Sequence, residues 1–244
     1  MTESAGVTVA DTVRWLHEEG LIRLTGIGAR ALNPIVAYTI DVGTGTVSAH
    51  PDTGGEVGAD VATLAADDLP FPVGTPKRLT IVGVTTADAV LVADLSEVRR
   101  IAVHGDRPES VARSWALQLL LNPEISLTTN SADLVIAGSA RCRQSFIPGS
   151  GSTVINIDDK RQPITTICLN PTTDEIDHLD VTESGGELYL GARFWQLRQV
   201  MRVEDAAWAG LAVRLQSPHE DSPSRPVRPE PISAPAEKLS ESTT

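Results

Sequence analysis

The chain has 244 residues, a net charge of −12 and 41% hydrophobic side chains. That hydrophobic content can bury one sizeable core or two small ones. The negative charge argues against a nucleic-acid partner, because proteins bind the phosphate backbone largely through Lys and Arg. No apolar run approaches the roughly 20 residues that span a bilayer, so no membrane insertion is expected.

The first residues and the cysteines predict a cytoplasmic protein. Residues 1–6 lack the positive flank and the apolar core of a secretory signal. Cys142 and Cys168 are expected to be free buried thiols, because disulfide bonds are rare in cytoplasmic proteins.

Residues 1–68 are predicted to form a small α+β unit. Thr8 to Asp11 has the pattern of a capping box, and apolar residues recur at helical spacing up to Gly20. This pattern predicts a helix over 9–19. Apolar runs at 35–40 and 46–49 predict two strands joined by a tight turn at 41–45.

Residues 69–147 are predicted to form a central domain around a mostly parallel sheet. Four apolar runs give its strands, at 78–83, 89–94, 99–103 and 132–138. The last of these runs is continuous, as in strands buried within parallel sheets. A helix is expected after the third strand, with Asp106 as its N-cap, Pro108 in its first turn and Glu109 completing a capping box. Its Trp115 should lie in the core.

The loop between that strand and that helix has the layout of a phosphate-binding loop. A working loop reads G-x-x-x-x-G-K-[ST], because backbone N–H groups surround the phosphates, the lysine neutralises them and the hydroxyl binds magnesium. Aligned on Gly105, the chain has Ser110, Val111 and Ala112 in place of the last three motif residues. We therefore predict a relic phosphate loop at Gly105, Asp106 and Ser110 that holds no cofactor.

Two further glycine patterns are weaker. The turn at 41–46 resembles the first phosphate hairpin of sugar kinases and actin-like ATPases, but the chain offers no second phosphate loop, which favours a plain hairpin turn. The segment 26–31 resembles a dinucleotide fingerprint, yet Pro34 leaves no room for the helix that such a site needs.

No catalytic or metal-binding residues are predicted. The histidines, at 17, 50, 104, 178 and 219, stand far apart in the sequence, and none has a Cys or acid at metal-ligand spacing. The sequence has no G-x-S-x-G nucleophile motif either.

Residues 148–216 are predicted to form a C-terminal strand-helix unit, with strands near 153–157, 163–169 and 187–191 and a helix over 203–215. Residues 217–244 are rich in Pro, Ser and Glu, which predicts a disordered tail.

The segment from 69 to 140 resembles the P-loop region of FtsK-like DNA-translocase motors. The phrases that carry this resemblance lie at 89–95, 100–105 and 115–121. Most of residues 8–215 also resembles a segment of actinobacterial multidomain proteins that join LysM and transcriptional-activator-type domains, where the phosphate loops are degraded. The resemblance implies an α/β fold with a degraded P-loop. The chain departs from the motors at the loop and after 132–138, where no Asp or Glu is present to hold magnesium.

The sequence therefore predicts a mixed α/β protein without enzymatic activity. Its expected role is an interaction or regulatory module in a larger assembly, with an unidentified protein partner. Two alternatives remain open: a nucleotide-binding ATPase-like protein, and a transcription-associated regulator.

Overall fold

The computed structural model describes residues 7–52, 62–70, 78–136, 139–158 and 164–216. Its helices and helical turns are α1 (Val9–Trp15), a π-helical turn (Leu16–Gly20), α2 (Leu21–Arg30), a 3-10 turn (Ala66–Asp68), α3 (Pro108–Leu120), a 3-10 turn (Ala132–Leu134) and α4 (Asp205–Gln216).

The strands join in one 13-stranded sheet, in the order β3-β2-β1-β5-β4-β13-β12-β11-β6-β10-β9-β7-β8. Their bounds are β1 (Ile35–Asp41), β2 (Thr46–Pro51), β3 (Ala62–Ala65), β4 (Leu79–Thr85), β5 (Ala89–Asp94), β6 (Arg100–Gly105), β7 (Ser126–Thr129), β8 (Cys142–Gln144), β9 (Thr153–Asp158), β10 (Thr165–Leu169), β11 (His178–Thr182), β12 (Gly185–Leu190) and β13 (Arg193–Val200).

The predicted α/β fold with a mostly parallel P-loop sheet is wrong. Within the described residues, parallel pairing is confined to β6 with β10, β6 with β11, and β7 with β8. The other neighbouring strands run antiparallel, and several of them are joined by short turns, such as residues 86–88 between β4 and β5. A connection that short can only reverse the chain, because parallel strands need a crossover of a dozen or more residues.

The sheet is covered on both faces over part of its width. One hydrophobic cluster contains residues of α1 and α2 together with inward residues of β1, β4 and β5, among them Leu24, Tyr38 and Val92. A second cluster surrounds the fully buried Trp115 of α3, which confirms that this ring belongs to the core. Gln118 of α3 also bonds both backbone groups of Ile81, at 2.7 Å to its N–H and 3.1 Å to its carbonyl. These contacts fix α3 against one face of the sheet.

The N-terminal helix extends beyond its predicted end. The capping box of Thr8 and Asp11 is confirmed, but the helical chain continues through the π-helical turn into α2. Gly20 does not end a helix. Instead, a Cβ atom at Gly20 would lie 2.8 Å from the Trp15 ring, so the glycine makes room for close packing of that ring.

The strand predicted at 132–138 is also wrong. Ala132–Leu134 is a 3-10 turn that begins at Ser131, whose hydroxyl accepts a hydrogen bond from the Asp133 N–H. Leu134 and Ile136 are nevertheless buried in the cluster around α3. The apolar character of this run therefore reflects burial in the core and not strand pairing. Positions 137 and 138 lie outside the described residues.

Most of the other elements agree with their predictions to within a few residues. These are β1, β2, β4, β5, β6, β9, β10, β12, α3 and α4. The segment 26–31 lies largely within α2. The turn at 42–45 is the predicted hairpin connection. The Asp41 carboxylate closes it by accepting hydrogen bonds from the N–H and the hydroxyl of Thr44, each at 2.7 Å. The domain boundaries at 68, 147 and 216 stay predictions, and the predicted tail lies outside the described residues.

Both cysteines are free and buried, as predicted. Burial raises the pKa of both thiols, so they remain protonated and unreactive. Across the part of the chain that the structure describes, no helix combines the length and apolar character needed to cross a membrane.

Candidate functional site

The predicted relic loop lies at the carboxyl end of β6, where the chain turns into α3. Gly105 adopts a φ of +114° and Arg107 a φ of +54°. Gly105 and Asp106 are exposed, whereas Ser110 lies in the first turn of α3 and is only 2% exposed. Its hydroxyl donates a 2.8 Å hydrogen bond to the Arg107 carbonyl. Ser110 therefore closes the turn and does not face a ligand.

The Asn170 side chain occupies both backbone groups of Gly105. Its Oδ1 accepts from the Gly105 N–H at 3.0 Å, and its Nδ2 donates to the Gly105 carbonyl at 3.2 Å. Phosphate loops work through free backbone N–H groups. At Gly105 that N–H is already committed, so the corner is held as a structural turn.

The predicted N-cap on Asp106 is wrong. The residue that precedes α3 is Arg107, in the left-handed conformation, and no side chain caps the helix. The left-handed turn at Arg107 places Asp106 one residue farther from the helix than a capping residue should be. Pro108 does stand in the first turn, as predicted.

Two arginines and two carboxylates join α3 to α4 beside this loop. Arg107 forms ion pairs with Glu204 at 3.0 Å and Asp205 at 2.9 Å. Arg113, which is buried, also bonds Asp205, and its guanidinium lies 5.6 Å from the Trp208 ring centroid. The hydrogen bond from Arg113 lowers the pKa of Asp205. Both guanidinium groups are therefore neutralised by carboxylates of the chain itself.

The most distinctive surface lies on the sheet face opposite α3. Four rings stand side by side on the neighbouring strands β6, β11, β12 and β13, and we call them the ring ladder: His104, His178, Tyr189 and Phe194. The centroid distances along the ladder are 6.1 Å, 4.4 Å and 4.9 Å. His178 and Tyr189 stack at 19°, while Phe194 is tilted by 43° from Tyr189 and is 50% exposed.

Strand alternation explains how the ladder forms. On β11 and β12, side chains at every second position enter the core, among them Leu179, Val181 and Leu188. The residues between them lie on the other face, because successive side chains of a strand point to opposite faces. The register places His178 opposite Tyr189, and Tyr189 opposite Phe194.

Hydrogen bonds fix the hydrogen positions at two of the rings, His178 and Tyr189. His178 Nδ1 lies 2.9 Å from the Glu175 carbonyl and 3.0 Å from the Ile176 carbonyl, so Nδ1 must carry the hydrogen. Nε2 is then directed toward Asp180 Oδ2, 3.9 Å away. The Tyr189 hydroxyl donates to Glu187 Oε2 at 2.9 Å, and this bond raises the pKa of the phenol. Tyr189 therefore stays a neutral donor.

Two carboxylates lie directly opposite each other beside the rings. Asp180 of β11 pairs in register with Glu187 of β12, and on its other side with His104 of β6. Like charges at directly opposed positions of a sheet are destabilising. Within the described residues, no Arg or Lys forms a salt bridge with either carboxylate. Arg100 of β6 and Arg198 of β13, on the two flanking strands, pair with Glu175 and Asp88.

An apolar groove lies between the N-terminal helices and α3. It encloses about 230 Å³ and is lined by His17, Leu21, Ile22, Gln118 and Leu121, with four other residues. Burial lowers the pKa of His17. The groove is smaller than the roughly 300–1,000 Å³ typical of small-molecule sites.

The sequence analysis missed the ring ladder. His104 and His178 are far apart in the chain and meet only through the parallel pairing of β6 with β11.

Among the described residues, no group of three His, Cys, Asp or Glu side chains could hold a metal ion.

Comparisons with known proteins identify no relative: no family model, no curated protein and no solved structure matches the chain.

Proposed function

We propose that the chain is a non-catalytic interaction module of a larger assembly, and that it contacts its partner through the ring ladder. One observation carries this proposal: four rings and two opposed carboxylates share an open sheet face. Aromatic side chains are enriched in protein interfaces and contribute much of their binding energy.

The Gly105 loop supports a non-catalytic role over nucleotide binding. Asn170 holds the Gly105 N–H, and Arg107 is paired with Glu204 and Asp205. A phosphate approaching this loop would meet those two carboxylates. The loop also lacks the lysine that normally neutralises phosphate and the hydroxyl that normally binds magnesium.

The purified protein is expected to hydrolyse neither ATP nor GTP and to gain no thermal stability from either nucleotide with Mg²⁺. The physical reason is that no charge neutralisation or metal ligation is provided at residues 110–112. Phosphate release and a thermal shift assay measure both effects. Steady turnover that disappears in a folded Arg107→Glu variant would contradict this expectation and restore the ATPase-like alternative.

The interaction role is tested by affinity capture from the cells that naturally produce the chain. The test variant is Phe194→Ser, and the matched control is Phe146→Ser, because Phe146 is 86% exposed and lies outside the ladder. We expect at least one protein to be captured by the wild type and by Phe146→Ser but lost with Phe194→Ser. If Phe194→Ser retains every protein that the wild type captures, the ladder is not the interaction surface.

A further inference from the structure

We infer that the ring ladder binds an arginine side chain of a partner peptide, with the guanidinium against the exposed ring of Phe194 and directed toward the carboxylates of Asp180 and Glu187. This inference rests on the proposed function and specifies the chemistry of the partner.

The charge of the surface determines the sign of the ligand. Asp180 and Glu187 repel each other across neighbouring strands, and a cation placed between them removes that repulsion. Arginines on the two flanking strands pair with other acids: Arg198 of β13 is 2.9 Å from Asp88, and Arg100 of β6 is 3.4 Å from Glu175. The whole chain carries a charge of −12, which attracts cationic partners and repels anionic ones.

The rings favour arginine over lysine. His178 stacks on one side of Tyr189, and Phe194 lies tilted beyond the other side with half of its surface open. A planar guanidinium stacks on such a ring and still directs N–H groups toward two carboxylates. An ammonium group is a compact, strongly hydrated point charge that cannot stack.

One of the two carboxylates is already oriented for this contact. The Tyr189 hydroxyl donates to Glu187 Oε2 at 2.9 Å. Side chains ordered before binding lose less entropy when the ligand arrives. The site is therefore suited to a single arginine at the centre of a peptide contact.

The test measures the affinity of the full chain for three labelled peptides of one length by fluorescence anisotropy. The peptides carry four Arg, four Lys or four Glu residues spaced by Gly and Ser. We expect the Arg peptide to bind most tightly, the Lys peptide at least several-fold more weakly, and the Glu peptide not at all. Phe194→Ser should weaken Arg-peptide binding by about two- to five-fold, the value of an exposed cation–π contact.

Charge variants separate this site from general attraction to an acidic protein. The pair Asp180→Asn with Glu187→Gln should lower affinity for the Arg peptide at least about tenfold. The control pair Glu124→Gln with Asp133→Asn removes the same charge from the side of the molecule that carries α3. Equal losses in both pairs, or equal binding of the Arg and Lys peptides, would overturn the inference.

The two proposals can fail separately. If Phe194→Ser loses a natural partner but the Arg peptide does not bind, the arginine assignment is wrong and the interaction surface stands. If the Arg peptide binds at the ladder but no natural partner depends on Phe194, the assignment stands and the proposed function fails.

Discussion

Replacing Gly105 with Ala is expected to destabilise the fold strongly. A Cβ atom at this position would lie 2.0 Å from the Val181 carbonyl oxygen on the neighbouring strand β11. The residue also has a φ of +114°, which L side chains rarely adopt. Strain of this kind costs about 1–3 kcal/mol, and overpacking adds about 1–3 kcal/mol. The free energy of unfolding should therefore fall by about 2–6 kcal/mol in urea denaturation.

The matched control is Gly151→Ala, since no heavy atom of the described residues lies within 4 Å of a Cβ built at Gly151. That variant should unfold at nearly the wild-type urea concentration. If Gly105→Ala were equally stable, the parallel pairing of β6 with β11 would be wrong. The contact between His104 and His178 at one end of the ring ladder would then also be wrong, because that pairing brings the two rings together.

The features that the sequence predicted correctly depend on residues close together in the chain. The Thr8 capping box, the Asp41 hairpin turn and the strand-loop-helix at Gly105 each involve only a short segment. Local preferences and short-range hydrogen bonds determine such features. Long-range contacts only had to be compatible with them.

The fold class could not be predicted in the same way, because burial on both faces hides the direction of pairing. Every residue of β4 is buried, and its alternate side chains enter different clusters: Ile81 contacts the cluster under α1 and α2, and Val82 the cluster around α3. An antiparallel strand covered on both faces has the same continuous apolar pattern as a parallel one. The three residues between β4 and β5 were the available signal for antiparallel pairing.

One end of the candidate site depended on a long-range strand pairing, which no local pattern specifies. The alternation of His178 to Val181, and of Glu187 to Leu190, does indicate two strands with one polar face. The short connection between them indicates a hairpin. A second short connection, residues 191–192, likewise indicates a hairpin that brings Phe194 beside Tyr189. Nothing in the sequence, however, places His104 beside these strands, because that contact depends on the parallel pairing of β6 with β11.

His50 should make the protein less stable as the pH falls from about 6.5 to about 4. The ring lies on β2, with Nε2 2.9 Å from the Thr39 hydroxyl, and it forms a T-shaped pair with the Trp195 ring. Burial, with a smaller effect of Arg193, lowers the pKa of His50 from 6.5 to about 4. Below pH 6.5 the unfolded chain therefore binds a proton that the folded protein does not, and the free energy of unfolding decreases. The decrease should approach about 2 kcal/mol near pH 4. This is less than the full pKa shift would give, because the ring keeps some contact with water.

The variant that tests this effect is His50→Gln, whose amide can still bond the Thr39 hydroxyl but cannot take up a proton in this range. Urea denaturation at pH 7.5, 6, 5 and 4 should show a smaller loss of stability for His50→Gln than for the wild type. Burial also lowers the pKa of His17, but this residue is present in both proteins and cancels in the difference between them. Parallel stability curves for the two proteins over this range would show that His50 is not held neutral in the folded protein, and that β2 and β13 do not enclose its ring.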